Sequence, residues 1–511
     1  MTAMADPSTQ AFGLIADCIA LHARQAPRRR ALIDAERTLD YAALDARMDR
    51  VAAALQRDGL RPGDAIAVCA AASVDYAALF LGALRAGVAV APLAPGSTPQ
   101  SLAQMATDAN ARRLFIDAAA DASFGDGVPG VPRTRLDNAD FDNWLAPEGA
   151  RAAPVTVDAA LPFNIIYSSG TTGEPKGIVQ PHGMRWAHVQ RSAKYGYGAD
   201  TVTLLSTPLY SNTTLVVFFP TLAFGGTVAL MPKFDAAAYL KLAEALRATH
   251  TMLVPVQYQR LMARPDFAAH DLSSFKMKFC TSAPFSAALK ADVLARWPGG
   301  LVEFYGMTEG GGTCILEAHL HPDKLHTVGR PAEGHDIRLI DDAGREVAPG
   351  EAGEVVGHSA GMMTGYHGRP EKTREAEWFD PQGKRFIRTG DIGRFDADGF
   401  LTLFDRKKDM IISGGFNIYP SDLEAVLRGH EAVADAAVVG VPSTAWGETP
   451  VGFVVLREGA AADADAILQW ANAQLGKTQR LAALRIVDEL PRSAIGKVLK
   501  RELRERFGPM P

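Results

Sequence analysis

Cysteine is scarce in this chain of 511 residues, and the four present follow no structural pattern. Cys18, Cys69, Cys280 and Cys314 are scattered without C-x-x-C or Cys/His spacing, which argues against a disulfide framework or a zinc site and for reduced thiols. No uninterrupted apolar run approaches the ~18 residues of a spanning helix. The first ten residues contain Asp6 and show neither the basic stretch nor the apolar core of a secretory leader, so a cytoplasmic location is expected. Neither sign of charge is in excess: 53 Lys and Arg against 58 Asp and Glu leave a net charge of -5, with no basic tail. Nucleic acid and anionic membrane surfaces are therefore not expected partners. The Walker pattern G-x-x-x-x-G-K-[ST] is also missing, since the one Gly-Lys-Thr, at 476–478, has no upstream glycine.

What is present describes a globular enzyme. Hydrophobic residues make up 47% and charged residues 22% of the chain, and its length implies at least two domains. The stretch Tyr167 to Val179 stands out. It follows an apolar run, Phe163 to Tyr167, that reads as a buried strand, and it places Ser168, Ser169, Thr171 and Thr172 among three glycines before Lys176. Glycines let backbone N–H groups curl toward an anion, hydroxyls add donors, and the lysine adds a mobile positive charge, so the stretch suits phosphate. The same composition also describes a solvated linker, and these residues alone leave both readings open.

Periodicity supplies the frame. Helical spacing over Ile15–Gln25 and Tyr41–Arg57, strand Ala65–Cys69, helix Tyr76–Ala86 and strand Val88–Pro92 alternate in a βαβ manner. Further strands are expected near Val202–Ser206, Thr227–Met231, Thr251–Pro255 and Met277–Thr281. After Glu351 the pattern turns to hairpins, with Asp396-Ala397-Asp398-Gly399 as a turn. Beyond the charged run Asp405 to Asp409, a segment of about a hundred residues reads as a separate small α+β unit. Its first helix, from Pro420, shows a capping-box pattern in Ser421 and Glu424.

The string S-S-G-T-T-G-E-P-K-G resembles the signature of the adenylate-forming superfamily, which includes the AMP-forming acyl- and aryl-CoA synthetases. Four further matches follow in the family's order: Phe304-Tyr305-Gly306-Met307-Thr308-Glu309, Arg388-Thr389-Gly390-Asp391, Asp405-Arg406-Lys407-Lys408-Asp409 with Ser413-Gly414-Gly415, and Gly496-Lys497. The resemblance implies an α/β fold. A large N-terminal domain (1–405), with parallel or mixed sheets and a small β subdomain, would be hinged at 406–409 to a mobile C-terminal α+β lid (410–511).

It also implies an acid:CoA ligase that forms an acyl-adenylate and then a thioester, with a small carboxylic acid, ATP and CoA as substrates and Mg²⁺ as cofactor. By this resemblance Ser168, Ser169, Gly170, Thr171, Thr172 and Lys176 hold the phosphates, and Glu309 holds Mg²⁺. Thr308 contacts the α-phosphate. Tyr305, within Phe304 to Met307, stacks on adenine opposite Ala283-Pro284. Asp391 and Arg406 take the ribose, and Lys497 bridges the substrate carboxylate and α-phosphate. Lys408 is the hinge, while Ser413, Gly414, Gly415 and Trp446 line the CoA path. A homodimer is kept as a possible assembly.

The acid pocket is expected to be walled by Trp186, Tyr210, Ser211, Asn212, Val256, Gly310 and Gly311. No arginine is evident among these residues, which favours an uncharged aromatic or short to medium aliphatic tail. The chain departs from many relatives in having Ser211 where they carry histidine, and His182 is a candidate substitute. Two competing readings are an adenylation enzyme that loads a carrier protein in trans and a non-catalytic nucleotide-binding regulator. The second is disfavoured because Lys497, Glu309 and the loop are all present.

Overall fold

The computed structural model describes residues 7–125, 127–168, 175–406, 409–413, 416–444, 446–476, 479–493 and 496–507. Two compact units emerge, Met1–Ile337 with Gly357–Ile387, and Arg338–Val356 with Arg388–Pro511. Among the described residues no helix is long and apolar enough to cross a membrane.

The first unit is built on two sheets. In one, strands Ala65–Cys69, Ala89–Pro92, Ala111–Ile116, Arg133–Arg135 and Pro162–Ser168 run parallel. The other has a parallel centre of Val202–Leu205, Thr227–Leu230, His250–Leu253, Met277–Cys280 and Gly300–Tyr305, with antiparallel pairs at its edges. Helices fill the space between the sheets. Helix Val74–Arg85, capped by Ser73, buries all of its residues except Arg85, as its nearly continuous apolar sequence requires. Its Gly82 allows the neighbouring helix Tyr41–Arg57 to pack closely, since a Cβ there would lie 2.5 Å from that of Val51. Phe80, Phe163 and Phe219 then join the two sheets' apolar faces, with ring centroids 4.9 to 6.1 Å apart. Each such buried ring contributes roughly 1.5–3 kcal/mol relative to exposure.

Seven elements of this unit carry the candidate site: β1 (Pro162–Ser168), β2 (Lys176–Pro181), α1 (His182–Ser192), α2 (Asn212–Ala223), β3 (Gly300–Tyr305), β4 (Cys314–Glu317) and β5 (Gly365–Tyr366). β1 and β2 pair antiparallel with Ser168 opposite Lys176, and β5 adds to the outer edge of β2. The glycine-rich loop thus joins a hairpin instead of leading into a helix.

In the second unit, β6 (Arg385–Phe395) pairs with β7 (Leu401–Arg406), the hairpin expected around Asp396–Gly399. A further sheet contains β8 (Ile411–Ser413), β9 (Val433–Ser443) and β10 (Gly447–Leu456), covered by α3 (Pro420–Arg428). The capping box expected at the start of α3 does not form. Tyr419 is the N-cap and provides no side-chain cap. Ser421 donates instead to the carbonyl of Phe404, and Glu424 accepts from Val438 N at 3.0 Å and pairs with Lys500 at 3.0 Å. Long-range partners outcompete the local cap because they satisfy the same groups while tying the helix to its sheet.

Candidate active site

Lys176 opens β2, and its ammonium lies 5.4 Å from the ring centroid of Tyr366 on β5. The Tyr366 hydroxyl donates to Glu309 Oε1 at 2.9 Å, and Met363 N donates to Glu309 O at 2.8 Å. The phosphate-loop lysine and the expected magnesium ligand therefore flank one phenol ring. Burial, reinforced by the Glu309 charge and this bond, pushes the Tyr366 phenol far up, so it stays a donor. Sequence reasoning missed Tyr366, which lies in a two-residue strand with no periodic signal.

Behind Thr308 lies a buried polar network. Gln180 Nε2 on β2 donates to Thr308 O at 2.6 Å, and its Oε1 accepts from Asn164 Nδ2 at 2.9 Å and from Arg185. Arg185 also donates to Asn164 at 3.1 Å and to Asn212 Oδ1 at 2.8 Å. Its guanidinium is buried with three amide oxygens and no carboxylate, and desolvation brings its pKa down to about 9. Asn212, expected in the acid pocket, is thereby fixed at the start of α2. Ser211 is the N-cap of α2 and accepts from Thr213 N at 3.3 Å, so the residue that departs from relatives has a structural task here.

Thr213 Oγ1 and Ser282 Oγ are 2.5 Å apart, and Ser282 holds φ at +84°, a conformation that costs a non-glycine residue energy and clusters at functional sites. Ala283 and Pro284 follow it on the surface. Tyr305 ends β3 opposite Cys314, while Phe304, on the other face by strand alternation, stacks on Phe279 at 5.6 Å. Gly306 and Met307 connect β3 to Thr308. Gly310 holds φ at +77°, and a Cβ there would come 1.9 Å from Gly361 O, so only glycine fits. Gly311 is buried beside it, and Tyr210 and Val256 are half-buried.

Two expectations are corrected. Trp186 does not present itself to a pocket; it is buried against Phe12 and donates to Gln10 O at 3.1 Å. Helix geometry explains this, because positions 186 and 190 of α1 share a face, and Gln190 donates to the same carbonyl at 2.8 Å. His182 packs edge-on to Phe163 with centroids 4.9 Å apart, and burial lowers its pKa to about 4, so it is a neutral packing residue.

In the second unit the backbone register sets Asp391 opposite Arg406, and Thr389 Oγ1 accepts from Asp391 N at 3.0 Å. Arg388 fixes this strand by a forked pair with the buried Glu354, at 3.1 and 2.5 Å. Lys497 is exposed on a tight loop closed by Ser493 N to Lys497 O and Gly496 N to Ser493 O, each 2.8 Å. Arg492, which sequence reasoning did not single out, braces that loop by donating to Gly496 O at 2.6 Å and to Asp435. Ser413 pairs with Gly447, which brings Ser413 beside the exposed Trp446. Ser169, Gly170, Thr171, Thr172, Lys408, Gly414 and Gly415 lie outside the described residues, as do the side chains of Ser168 and Arg406.

A cavity of about 480 Å³ beside Pro175, lined also by Gln100, Met105, Asp108 and Arg369, shares none of the residues expected to hold nucleotide or acid. Among the described residues no group of three or more His, Cys, Asp or Glu could cage a metal by itself. A single carboxylate such as Glu309 suits a cation that takes its other ligands from phosphate and water, which is the habit of Mg²⁺.

Comparison with known proteins identifies the family. Residues 19–367 match the model of the AMP-binding enzyme family, and residues 422–497 match that of the AMP-binding enzyme C-terminal domain. A feruloyl-CoA synthase of Amycolatopsis sp is 35% identical over 498 residues, covering 95% of this chain and 97% of its own. A fatty acid–[acyl-carrier-protein] ligase, ScoC of Streptomyces coeruleorubidus, is 31% identical over 501 residues, 95% of either chain. Among solved structures, ATP-bound MatB from Rhodopseudomonas palustris superposes with a TM-score of 0.87 at 30% identity, covering 96% of this chain and 99% of that one.

Proposed function

This chain belongs to the AMP-binding enzyme family, and from that membership we propose that it is an AMP-forming acid:CoA ligase acting on an aromatic or short to medium-chain acid. A carboxylate oxygen attacks the α-phosphorus of ATP and pyrophosphate leaves. The thiol of CoA, its proton lost, then attacks the acyl carbonyl and AMP leaves. Both steps gather negative charge that fixed donors and cations must neutralise. Lys176, with Ser168, Ser169, Gly170, Thr171 and Thr172, holds the outer phosphates, and Thr308 contacts the α-phosphate. Tyr305 packs on adenine, Asp391 and Arg406 hold the ribose, and Lys497 draws the carboxylate to phosphorus. Glu309 is the ligand for Mg²⁺, which when bound would neutralise phosphate charge. Ser413, Gly414, Gly415 and Trp446 receive the pantetheine arm, and Lys408 is the pivot between the two half-reactions. ATP and CoA as substrates support a cytoplasmic setting, and a homodimer belongs to the same reading.

The observation that carries this reading is the pairing of Lys176 and Glu309 across Tyr366, which aligns a phosphate cation with a metal-binding anion from distant parts of the chain. The ScoC relative favours a second reading in which the acceptor is the phosphopantetheine of a carrier protein. A screen of pyrophosphate release over aryl, short, medium and long-chain acids, with and without CoA, tests both. CoA thioester and AMP are expected. An adenylate that ignores CoA but loads a carrier protein would establish the second reading.

A further inference from the structure

The face of α1 that turns away from Trp186 carries Arg185, His188 and Arg191, three residues apart and so stacked along one side of the helix. Arg185 spends its donors on the amide oxygens of Asn164, Gln180 and Asn212. His188 Nδ1 is buried without any hydrogen-bond partner, and its Nε2 lies 3.9 Å from where a Cβ on Gly361 would sit. Among the described residues Arg191 has one long hydrogen bond, to Thr313 Oγ1 at 3.4 Å, and lies over the Phe304 ring at 5.6 Å. No carboxylate is within ion-pair distance of it among the described residues, and Glu317 on β4 is engaged by Lys194 at 2.9 Å. His335 accepts from Thr313 N at 2.9 Å through Nδ1, and burial takes its pKa down to about 4, so it adds no second positive charge beside Arg191.

His188, Arg191, Phe304, Thr313 and His335 are all half-buried, which is the exposure of a recess wall. Thr313 extends the Gly310 run expected to border the acid. Four of the five donors of this half-buried guanidinium have no protein partner among the described residues, which leaves them open to an oxygen ligand.

We propose that Arg191 binds an oxygen acceptor at the far end of the substrate, so that the acid activated here carries a hydroxyl or carboxylate oxygen opposite its reacting carboxyl. This rests on the ligase reading and narrows it. The planar fork of Arg191 suits either oxygen group, and Phe304 keeps its plane fixed. On this proposal the tail expected from sequence is narrowed to one with a polar end, read by an arginine on a helix that no motif marks.

The test compares kcat/KM by pyrophosphate release for cinnamic acid, its p-hydroxy and its p-carboxy derivatives, with octanoic acid and its ω-hydroxy and ω-carboxy counterparts in parallel. In the unaltered enzyme an oxygen-bearing acid should be favoured on the order of 10²-fold over its plain counterpart. The arm that is favoured identifies the oxygen as hydroxyl or carboxylate. In Arg191→Met that ratio should collapse toward unity, while Arg191→Lys keeps part of it. Thermal melting and ATP binding confirm that both variants fold. Equal use of plain and oxygen-bearing acids by the unaltered enzyme, or a preference that survives Arg191→Met, overturns the proposal and leaves the ligase reading intact. Absence of pyrophosphate release and CoA thioester with every acid overturns the ligase reading itself.

Discussion

At the scale of single residues, Tyr366 makes the sharpest demand. Its hydroxyl orients Glu309, so Tyr366→Phe should leave the fold intact, raise the Mg²⁺ concentration needed for half-maximal adenylation several-fold and lower the maximal rate about tenfold. Titrating pyrophosphate release with Mg²⁺ checks this, and an unchanged curve would remove Tyr366 from the site. Histidines set a second expectation. Burial lowers the pKa of His182 and of His250 to about 4. The folded state therefore holds both neutral, while the unfolded chain takes up protons below about 6.5. Their stabilisation is complete above pH 6.5 and is lost as pH falls toward 4, by roughly 2 kcal/mol each at pH 5. Urea unfolding should show this loss between pH 7.5 and 5, and His182→Gln should reduce the slope by about one proton. Much of the candidate site was legible here through resemblance: Lys176, Thr308 and Glu309 sit in the ordered strings that carry it. Tyr366, Gln180 and Arg191 were not, because each owes its place to contacts with residues far away in the chain.

At the scale of elements, periodicity read the fold well wherever the signal was local. Helices Ile15–Gln25 and Tyr41–Arg57 have the ends that their apolar spacing dictates, and the strands that were expected fall within a residue or two of their places, while Ala111–Ile116, Arg133–Arg135 and Gly300–Tyr305 formed without being expected. Where a side chain could choose between a local and a distant partner, sequence failed, as at Ser421 and Glu424. The loop bearing Lys497 is an element of this kind. Arg492 ties it to Asp435 on β9 and to its own Gly496, so Arg492→Ala should blunt adenylation about tenfold by loosening the lysine's approach. Conversion of a supplied acyl-adenylate to thioester should change little. Measuring the two half-reactions separately decides it, and equal losses would mean that the brace serves folding instead of chemistry.

For the whole molecule, the proposed division of labour predicts opposite phenotypes. Lys497→Ala should cost adenylation on the order of 10²–10³-fold, the scale of one lost charge-stabilising donor, and spare thioester formation. Lys408→Pro should spare adenylation and block the second step, since proline fixes φ and removes an N–H where the backbone would have to turn. Equal losses in both halves for both variants would end the two-pose mechanism without touching the ligase assignment. One feature of the second unit reaches beyond catalysis. Among the described residues two apolar clusters of this unit draw only on residues from Ile411 to Phe507, so a gene segment beginning at Met410 carries that hydrophobic core, with the Ser421 bond to the Phe404 carbonyl as one tie to the hairpin before it. Swapping that segment with the corresponding part of a relative should yield a folded hybrid, and recombination at this point could vary the choice of acyl acceptor while inheriting the choice of acid unchanged.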